Sequence, residues 1–175
     1  LPGSLDGFEV AVRVVLGQQV TVKAARTLVQ RLVDRFGTPL QTPFPALTHV
    51  FPGAAALAQA DPEVIGKLGI VRQRVKALQA LAAAVSEGRI SLHRGAPVDD
   101  TLQALRALPG VGDWTAQVIA LRALAWPDAW PASDIGLMNA LGQRDAKLIT
   151  AQAEAWRPWR AYAVMKLWHG LENPA

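Results

Sequence analysis

The sequence has no cysteine, few histidines and no long hydrophobic run. Without cysteine the chain can form no disulfide, thiolate metal site or thiol nucleophile. No uninterrupted apolar run reaches the ~18–20 residues of a membrane-spanning helix, so we expect no membrane association. The three histidines, His49, His93 and His169, form no HExxH pattern, which argues against a zinc enzyme. The sequence shows no signal peptide, which would have a basic start followed by an apolar segment. We therefore expect a cytoplasmic protein.

The 175 residues have the composition of a single folded domain. Hydrophobic residues make up 51% and charged residues 18%, which allows a sizeable core and excludes a disordered chain. Eighteen Lys and Arg against fourteen Asp and Glu give a net charge of +4, which is compatible with a polyanionic partner. Because the chain opens on Leu1 instead of Met, we expect it to be part of a longer protein whose N-terminal segment is missing.

Apolar residues recur at helical spacing along almost the whole chain, and alternating strand-like runs are absent. This pattern predicts an all-α domain of roughly eight to ten helices. Four prolines between Gly37 and Gly53 indicate an extended connection there. Of the six tryptophans, we expect four to pack in the core: Trp126, Trp130, Trp156 and Trp159.

Several residues mark helix ends. Gly37 is expected to end a helix that begins at Val22, and Asp61-Pro62 is a typical helix start. Further N-caps are predicted at Asp99 or Asp100 and at Ser133 or Asp134.

The segment from about residue 101 to 125 predicts two antiparallel helices joined by the short turn Leu108-Pro109-Gly110-Val111-Gly112. Pro109 prevents a continuous helix, and the two glycines leave backbone N–H groups uncovered at the start of the second helix. Such N–H groups bind phosphate oxygens well. The pattern therefore predicts either a helix-hairpin-helix that grips DNA or a purely structural turn.

Asp134 follows Trp114 by about twenty residues, beyond the second helix of the hairpin. The connection from Trp126 to Pro131 can fold back along that helix and leave Asp134 in a cleft beside it. Taken alone, Asp134 is better explained as the N-cap of the next helix. The two roles are compatible if one carboxylate oxygen faces the backbone and the other faces the cleft.

These motifs resemble the helix-hairpin-helix DNA glycosylase superfamily. LPGVG-x-x-TA followed by an Asp is typical of the superfamily, and three further segments resemble its DNA-3-methyladenine glycosylase II branch. Those segments are Leu1-Pro2-Gly3 with Phe8-Glu9, Leu16 to Val20, and Trp156 to Ala163. The resemblance implies two helical lobes with a cleft between them, built from the whole of residues 1–175.

The resemblance also implies roles for residues of the cleft. Asp134 would stabilise the positive sugar formed as the N-glycosidic bond breaks. Bifunctional relatives carry a Lys where this chain has Trp114, so we expect base excision without lyase activity. Trp114 and Trp168 would line the base pocket, together with Val118 and Ile135 at positions that are aromatic in other members.

Further residues are implied in DNA binding. Gln18 and Gln19 lie in the loop that enters the minor groove and fills the gap left by the flipped nucleotide; a polar inter-helix turn is the alternative. The hairpin would bind the strand through four residues: Gly110, Val111, Gly112 and Thr115.

The resemblance implies one bound ion and no cofactor. Backbone carbonyls of Arg106, Leu108 and Val111 would hold a monovalent cation, Na⁺ or K⁺. The clustered cysteines of the iron–sulfur relatives are missing, so no iron–sulfur cluster is expected.

The function implied is that of a monofunctional DNA glycosylase of base excision repair, active on 3-methyladenine and 7-methylguanine. We expect a monomer that acts on double-stranded DNA containing damaged bases, at the bacterial nucleoid. Three alternatives remain at this stage: a glycosylase for deaminated or mismatched bases, a non-catalytic DNA-binding module, and a helical interaction domain without a DNA role.

Overall fold

The computed structural model describes residues 1–172, which fold as ten α-helices, a short strand pair and one 3-10 turn. The all-α prediction is confirmed. The helices are α1 (Gly7–Leu16), α2 (Val22–Phe36), α3 (Ala54–Gln59), α4 (Pro62–Gly66), α5 (Arg72–Ser86), α6 (Val98–Arg106), α7 (Asp113–Arg122), α8 (Ile135–Leu141), α9 (Ala146–Ala153) and α10 (Arg160–Glu172). The 3-10 turn is Glu154–Trp156, directly after α9.

Three elements differ from the sequence prediction. The proline-rich connection contains two antiparallel strands, β1 (Thr38–Pro39) and β2 (His49–Val50), too short to produce an alternating pattern. Helix α3, a six-residue alanine-rich segment, was not expected, since it buries only Leu57 and so lacks an apolar stripe.

The predicted helix ends are largely confirmed. Gly37 follows α2, Asp61 caps α4 through Glu63 N–H, and Asp134 caps α8. The cap predicted at Asp99 or Asp100 is wrong. Both lie inside the first turn of α6, which follows Pro97, and a carboxylate in a first turn still favours the helix through its dipole.

Helix α7 lies at the centre of the domain. Every residue from Thr115 to Leu121 is buried, so the helix has no solvent-facing stripe. It packs against α1 on one side and α6 on another, while α5 contacts α1, α3 and α4. The hairpin predicted at about 101–125 therefore spans 98–122, with its second helix enclosed by the core.

A buried ion pair holds the start of α10. Asp128 and Arg160 are 6% and 5% exposed, and Arg160 donates from Nε to Oδ1 and from Nη2 to Oδ2, both at 2.7 Å. Burial opposes the charge on Asp128, but the hydrogen bonds and charge of Arg160, with Arg157 nearby, hold its pKa below the usual value. Ala161 N–H also donates to the carbonyl of Pro127. These contacts attach α10 to the segment between α7 and α8.

The four tryptophans expected in the core differ in their burial. Trp130 is buried and meets Trp156 edge to face, with ring centroids 5.8 Å apart. Trp126 and Trp156 are half-buried. The prediction is wrong for Trp159, which is 58% exposed and makes a T-shaped ring contact with Tyr162. No helix within residues 1–172 has the length and apolar character needed to cross a membrane.

Candidate active site and DNA interface

A cleft of about 1010 Å³ opens where three segments meet: the α1–α2 loop (residues 17–21), the hairpin turn (residues 107–112) and the start of α8. Its walls are formed by residues from each segment. Those predicted from the sequence are Gln18, Gln19, Gly110, Gly112, Trp114, Thr115, Asp134 and Ile135. Thr21, Gln73 and Gly136, which were not singled out from the sequence, also line it.

Asp134 is held at the cleft by three hydrogen bonds. Its Oδ1 accepts from Leu137 N–H and from Trp168 Nε1, both at 2.9 Å, and its Oδ2 accepts from Trp114 Nε1 at 2.7 Å. The residue is 8% exposed. A nearly buried carboxylate is stable there because each oxygen has a donor, and these donors are all uncharged N–H groups. Asp134 is thus both the N-cap of α8 and a carboxylate of the cleft wall.

The two tryptophans predicted to line the base pocket differ in position. Trp114 is half-buried and lines the cleft, with its ring orientation set by the bond to Asp134. Trp168 lies outside the cleft lining, and Arg122 Cζ is 5.5 Å from its ring centroid. In the structure Trp168 is a hydrogen-bond donor to Asp134, whereas it was expected to line the base pocket.

Gly136 allows this arrangement. A Cβ added to Gly136 would lie 3.0 Å from Asp134 Oδ1 and 3.3 Å from Trp168 Nε1. Any side chain at this position would press on the carboxylate and on the indole that donates to it.

The two aliphatic residues predicted for the pocket also differ in position. Ile135 is 64% exposed and lines the cleft directly beside Asp134. Val118 is 7% exposed, because it lies within the enclosed part of α7, and it is outside the cleft lining. The base pocket predicted from four residues thus retains only Trp114 and Ile135 on the cleft surface.

In the α1–α2 loop, the two glutamines point in different directions. Gln18 turns inward: its Nε2 donates to the carbonyl of Gly110 at 3.0 Å and to Thr115 Oγ1 at 2.8 Å. Gln19 is exposed and has a φ of 52°, in the left-handed region. Thr115, predicted to bind DNA, is 3% exposed and uses its hydroxyl to accept the hydrogen bond of Gln18.

The hairpin turn leaves the start of α7 accessible. Gly110 adopts a φ of 75°, and Gly112 is the N-cap of α7, with no side chain to accept the first helical N–H groups. Val111 is buried and anchors the turn. These features leave N–H groups of the first turn available to a phosphate, although Asp113 places a carboxylate nearby. Arg106 compensates that charge through Nε, 2.9 Å from Asp113 Oδ1.

No group of three or more His, Asp and Glu side chains within residues 1–172 could hold a metal ion. A cation at the hairpin would need backbone carbonyls. The carbonyl of Leu108 accepts the N–H of Val111 at 3.2 Å, and one hydrogen bond leaves a carbonyl oxygen a second lone pair. Carbonyl oxygens are the ligand type that hard cations prefer, so the turn has suitable donors.

Comparison with known proteins shows the family of this chain. The family model described as "HhH-GPD superfamily base excision DNA repair protein" matches residues 12–158. The chain belongs to the HhH-GPD superfamily. The match includes the α1–α2 loop, the hairpin and Asp134, so all three walls of the cleft are parts of the superfamily domain.

Curated relatives extend beyond this chain. It is 43% identical to a "Probable bifunctional transcriptional activator/DNA repair enzyme AlkA" of Mycobacterium tuberculosis, a match that covers 99% of this chain and 35% of the relative. It is 37% identical to "DNA-3-methyladenine glycosylase 2" of Escherichia coli, over 97% of this chain and 59% of the relative. The chain thus spans between about a third and three fifths of the length of these relatives.

Solved structures share the fold at lower identity. A 3-methyladenine DNA-glycosylase from Archaeoglobus fulgidus superposes with a TM-score of 0.79 at 20% identity, over 97% of this chain and 59% of that one. A 3-methyladenine DNA glycosylase from Schizosaccharomyces pombe, in complex with abasic DNA, superposes with a TM-score of 0.77 at 20% identity. This match covers 99% of this chain and 84% of that one. At this identity the likeness concerns the fold.

Gly136 and Arg74 contribute to the site but were not predicted from the sequence. Arg74 lies on α5 and donates from Nη2 to the carbonyl of Gln18 at 2.6 Å, across 56 residues of chain. An arginine on an exposed helix turn carries no local signal for such a contact. Gly136 could have been noticed, since a glycine in the first turn of a helix is unfavourable unless something requires the space.

Proposed function

We propose that this chain is the catalytic domain of a monofunctional DNA glycosylase that excises alkylated purines from double-stranded DNA. The observation that carries the proposal is Asp134, a nearly buried carboxylate beside Trp114 in a cleft bordered by the hairpin turn. The curated relatives named as DNA-3-methyladenine glycosylases support the choice of substrate.

The chemistry follows from the charge of the substrate. A 3-methyladenine or 7-methylguanine base carries a positive charge, so it leaves as a neutral purine when it takes the electron pair of the N-glycosidic bond. The positive charge then passes to the sugar, where Asp134 stabilises it. Water adds to the same sugar carbon and loses a proton, which gives an abasic site. A single carboxylate is sufficient, because the departing base needs no acid to protonate it.

Trp114 and Ile135 supply the apolar surface for the flipped base. A cationic purine on an indole face gains roughly 0.5–2 kcal/mol that a neutral purine does not, which favours alkylated over normal bases. The indole of Trp114 is already oriented by its bond to Asp134, so little ordering is needed when the base enters. Ile135 offers contact area without this charge preference.

Absence of lyase activity is part of the proposal. A lyase needs an amine that attacks the sugar carbon to form a Schiff base. Among the described residues, none of those lining the cleft is a lysine. Trp114 occupies the position at which the resemblance places that lysine.

DNA would be held at the hairpin by the N–H groups at the start of α7. A monovalent cation on the carbonyls of Arg106, Leu108 and Val111 would add a positive charge between the turn and a phosphate. The protein would act as a monomer on chromosomal DNA, in the cytoplasm of a bacterium.

The test is base release from duplexes containing 3-methyladenine or 7-methylguanine, with Asp134→Asn as the variant. Asparagine caps a helix as well as aspartate does, so α8 is retained while the negative charge is lost. We expect release to fall by about 10²–10³-fold, the usual effect of removing a transition-state electrostatic contact. The matched control is Asp145→Asn, since exposed Asp145 is the N-cap of α9 through Lys147 N–H; its rate should not change.

Four results would contradict parts of the proposal. Release by Asp134→Asn at the wild-type rate would remove the carboxylate from the reaction. DNA binding without release from any lesion would indicate a non-catalytic binding module. Preferential release of uracil, hypoxanthine or a mismatched base would indicate a different lesion class. Strand cleavage without alkali, or covalent trapping by borohydride, would contradict the absence of lyase activity.

A further inference from the structure

Gln18 connects the α1–α2 loop to two other parts of the domain. Its side-chain amide donates to the hairpin, at the carbonyl of Gly110 and at Thr115 Oγ1, and its backbone carbonyl accepts from Arg74 of α5. These hydrogen bonds span 92, 97 and 56 residues of sequence. Such contacts between distant segments indicate a junction where the loop, the hairpin turn and α5 meet.

The hairpin turn is itself packed on α5. A Cβ added to Gly110 would lie 3.1 Å from the Cβ of Ala77 and 3.7 Å from the carbonyl oxygen of Gln73. The turn therefore cannot move relative to α5 without disturbing this packing, and α5 in turn holds the carbonyl of Gln18 through Arg74.

Gln19 is the residue whose conformation depends on this junction. A non-glycine residue in the left-handed region costs about 1–2 kcal/mol, and it persists only where its neighbours hold it. The three hydrogen bonds of Gln18 and the N-cap of α2 at Thr21 hold the loop on either side. As a result, the side chain of Gln19 is exposed at the edge of the cleft, whereas Gln18 is turned inward.

We propose that Gln18 and Arg74 are positioning residues that couple the α1–α2 loop to the hairpin. Gln19 then enters the duplex at a fixed position relative to the strand that the hairpin binds. This rests on the proposed function, because a register matters only when a nucleotide is flipped toward Asp134. Of the two glutamines, Gln19 is the one that fills the gap in the duplex, and Gln18 acts through it.

The experiment is a double-mutant cycle of Gln18→Ala, Gln19→Ala and the double variant. The readout is the ratio of base release from duplex DNA to release from single-stranded DNA, since a gap is filled only in a duplex. We expect each single variant to lower this ratio about tenfold, the effect of losing hydrogen bonds worth about 1.4 kcal/mol. Because Gln18 acts through Gln19, the double variant should be no worse than either single one.

Matched variants test the individual contacts. Thr115→Val removes the hydroxyl that accepts from Gln18 and should lower the ratio, whereas Thr115→Ser keeps the hydroxyl and should restore it. Arg74→Met removes the bond to the Gln18 carbonyl and should lower the ratio as well. Arg72→Met removes one positive charge from the same exposed turn of α5 and should leave the ratio unchanged.

Two outcomes would overturn the coupling: multiplicative effects of Gln18→Ala and Gln19→Ala, or an unchanged ratio in Gln18→Ala. A second readout distinguishes failure of the coupling from failure of the proposed function. Fluorescence of 2-aminopurine beside an abasic-site analogue reports unstacking without any bond cleavage. If the wild type releases no base, the proposed function fails, and non-additive fluorescence changes in the same variants still support the coupling.

Discussion

The two glycines of the hairpin turn should respond differently to alanine. Gly110 has a φ of 75°, and an added Cβ would meet Ala77 at 3.1 Å. Gly112 has a φ of −85°, and an added Cβ would meet nothing within 4 Å. Alanine in the left-handed region costs about 1–2 kcal/mol, and replacing glycine reduces the entropy of the unfolded chain similarly at both sites. We therefore expect Gly110→Ala to be about 1–2 kcal/mol less stable than Gly112→Ala.

Urea denaturation monitored by tryptophan fluorescence measures this difference directly. DNA affinity, measured by fluorescence anisotropy at several salt concentrations, should fall in both variants, since a methyl group at Gly112 enters the open space beside the first turn of α7, where a phosphate would bind. Gly112→Ala thus separates binding from folding. Equal stability of the two variants would refute the conformational argument, and undiminished affinity of Gly112→Ala would remove the start of α7 from the DNA interface.

Two further predictions concern the supports of the site. Trp168→Phe removes one donor to Asp134 and should slow base release about tenfold, as expected for the loss of a hydrogen bond to a charged group. The control Trp159→Phe, at an exposed position, should leave the rate unchanged. Equal rates for the two variants would contradict the role of Trp168. Because the pKa of Asp128 is lowered in the folded state, its pair with Arg160 stabilises the fold above the unfolded carboxyl pKa of about 3.9 and loses that effect as the pH falls through the folded value. The urea midpoint of the wild type should therefore decrease more steeply between about pH 5 and about pH 3 than that of Asp128→Asn, and parallel curves would refute this.

Local signals in the sequence were sufficient for most of the fold. The caps at Gly37, Asp61 and Asp134 depend on residues within one helical turn, and all three are confirmed. Errors occurred where two local explanations compete. An acidic residue near a helix start can be a cap or a first-turn residue, and Asp99 and Asp100 are the second kind.

The candidate site was predicted in part, for a related reason. The spacing of Trp114 and Asp134 in the sequence predicted that both lie at one cleft, and in the structure a hydrogen bond joins them. The spacing gave no information on the direction of the side chains. The inward turn of Gln18, the burial of Val118 and the position of Trp168 behind the carboxylate follow from tertiary packing between distant segments.

The enclosure of α7 bears on how such a domain can change during evolution. A helix that touches neighbours on every side tolerates few substitutions, so Thr115 to Leu121 offer little room for variation. Ile135 and Gln19, by contrast, are surface positions at the mouth of the same cleft. If the domain acts as proposed, exchange of these two residues can change substrate preference while α7 is inherited unchanged, and a library randomised at both positions is the starting point for redesign.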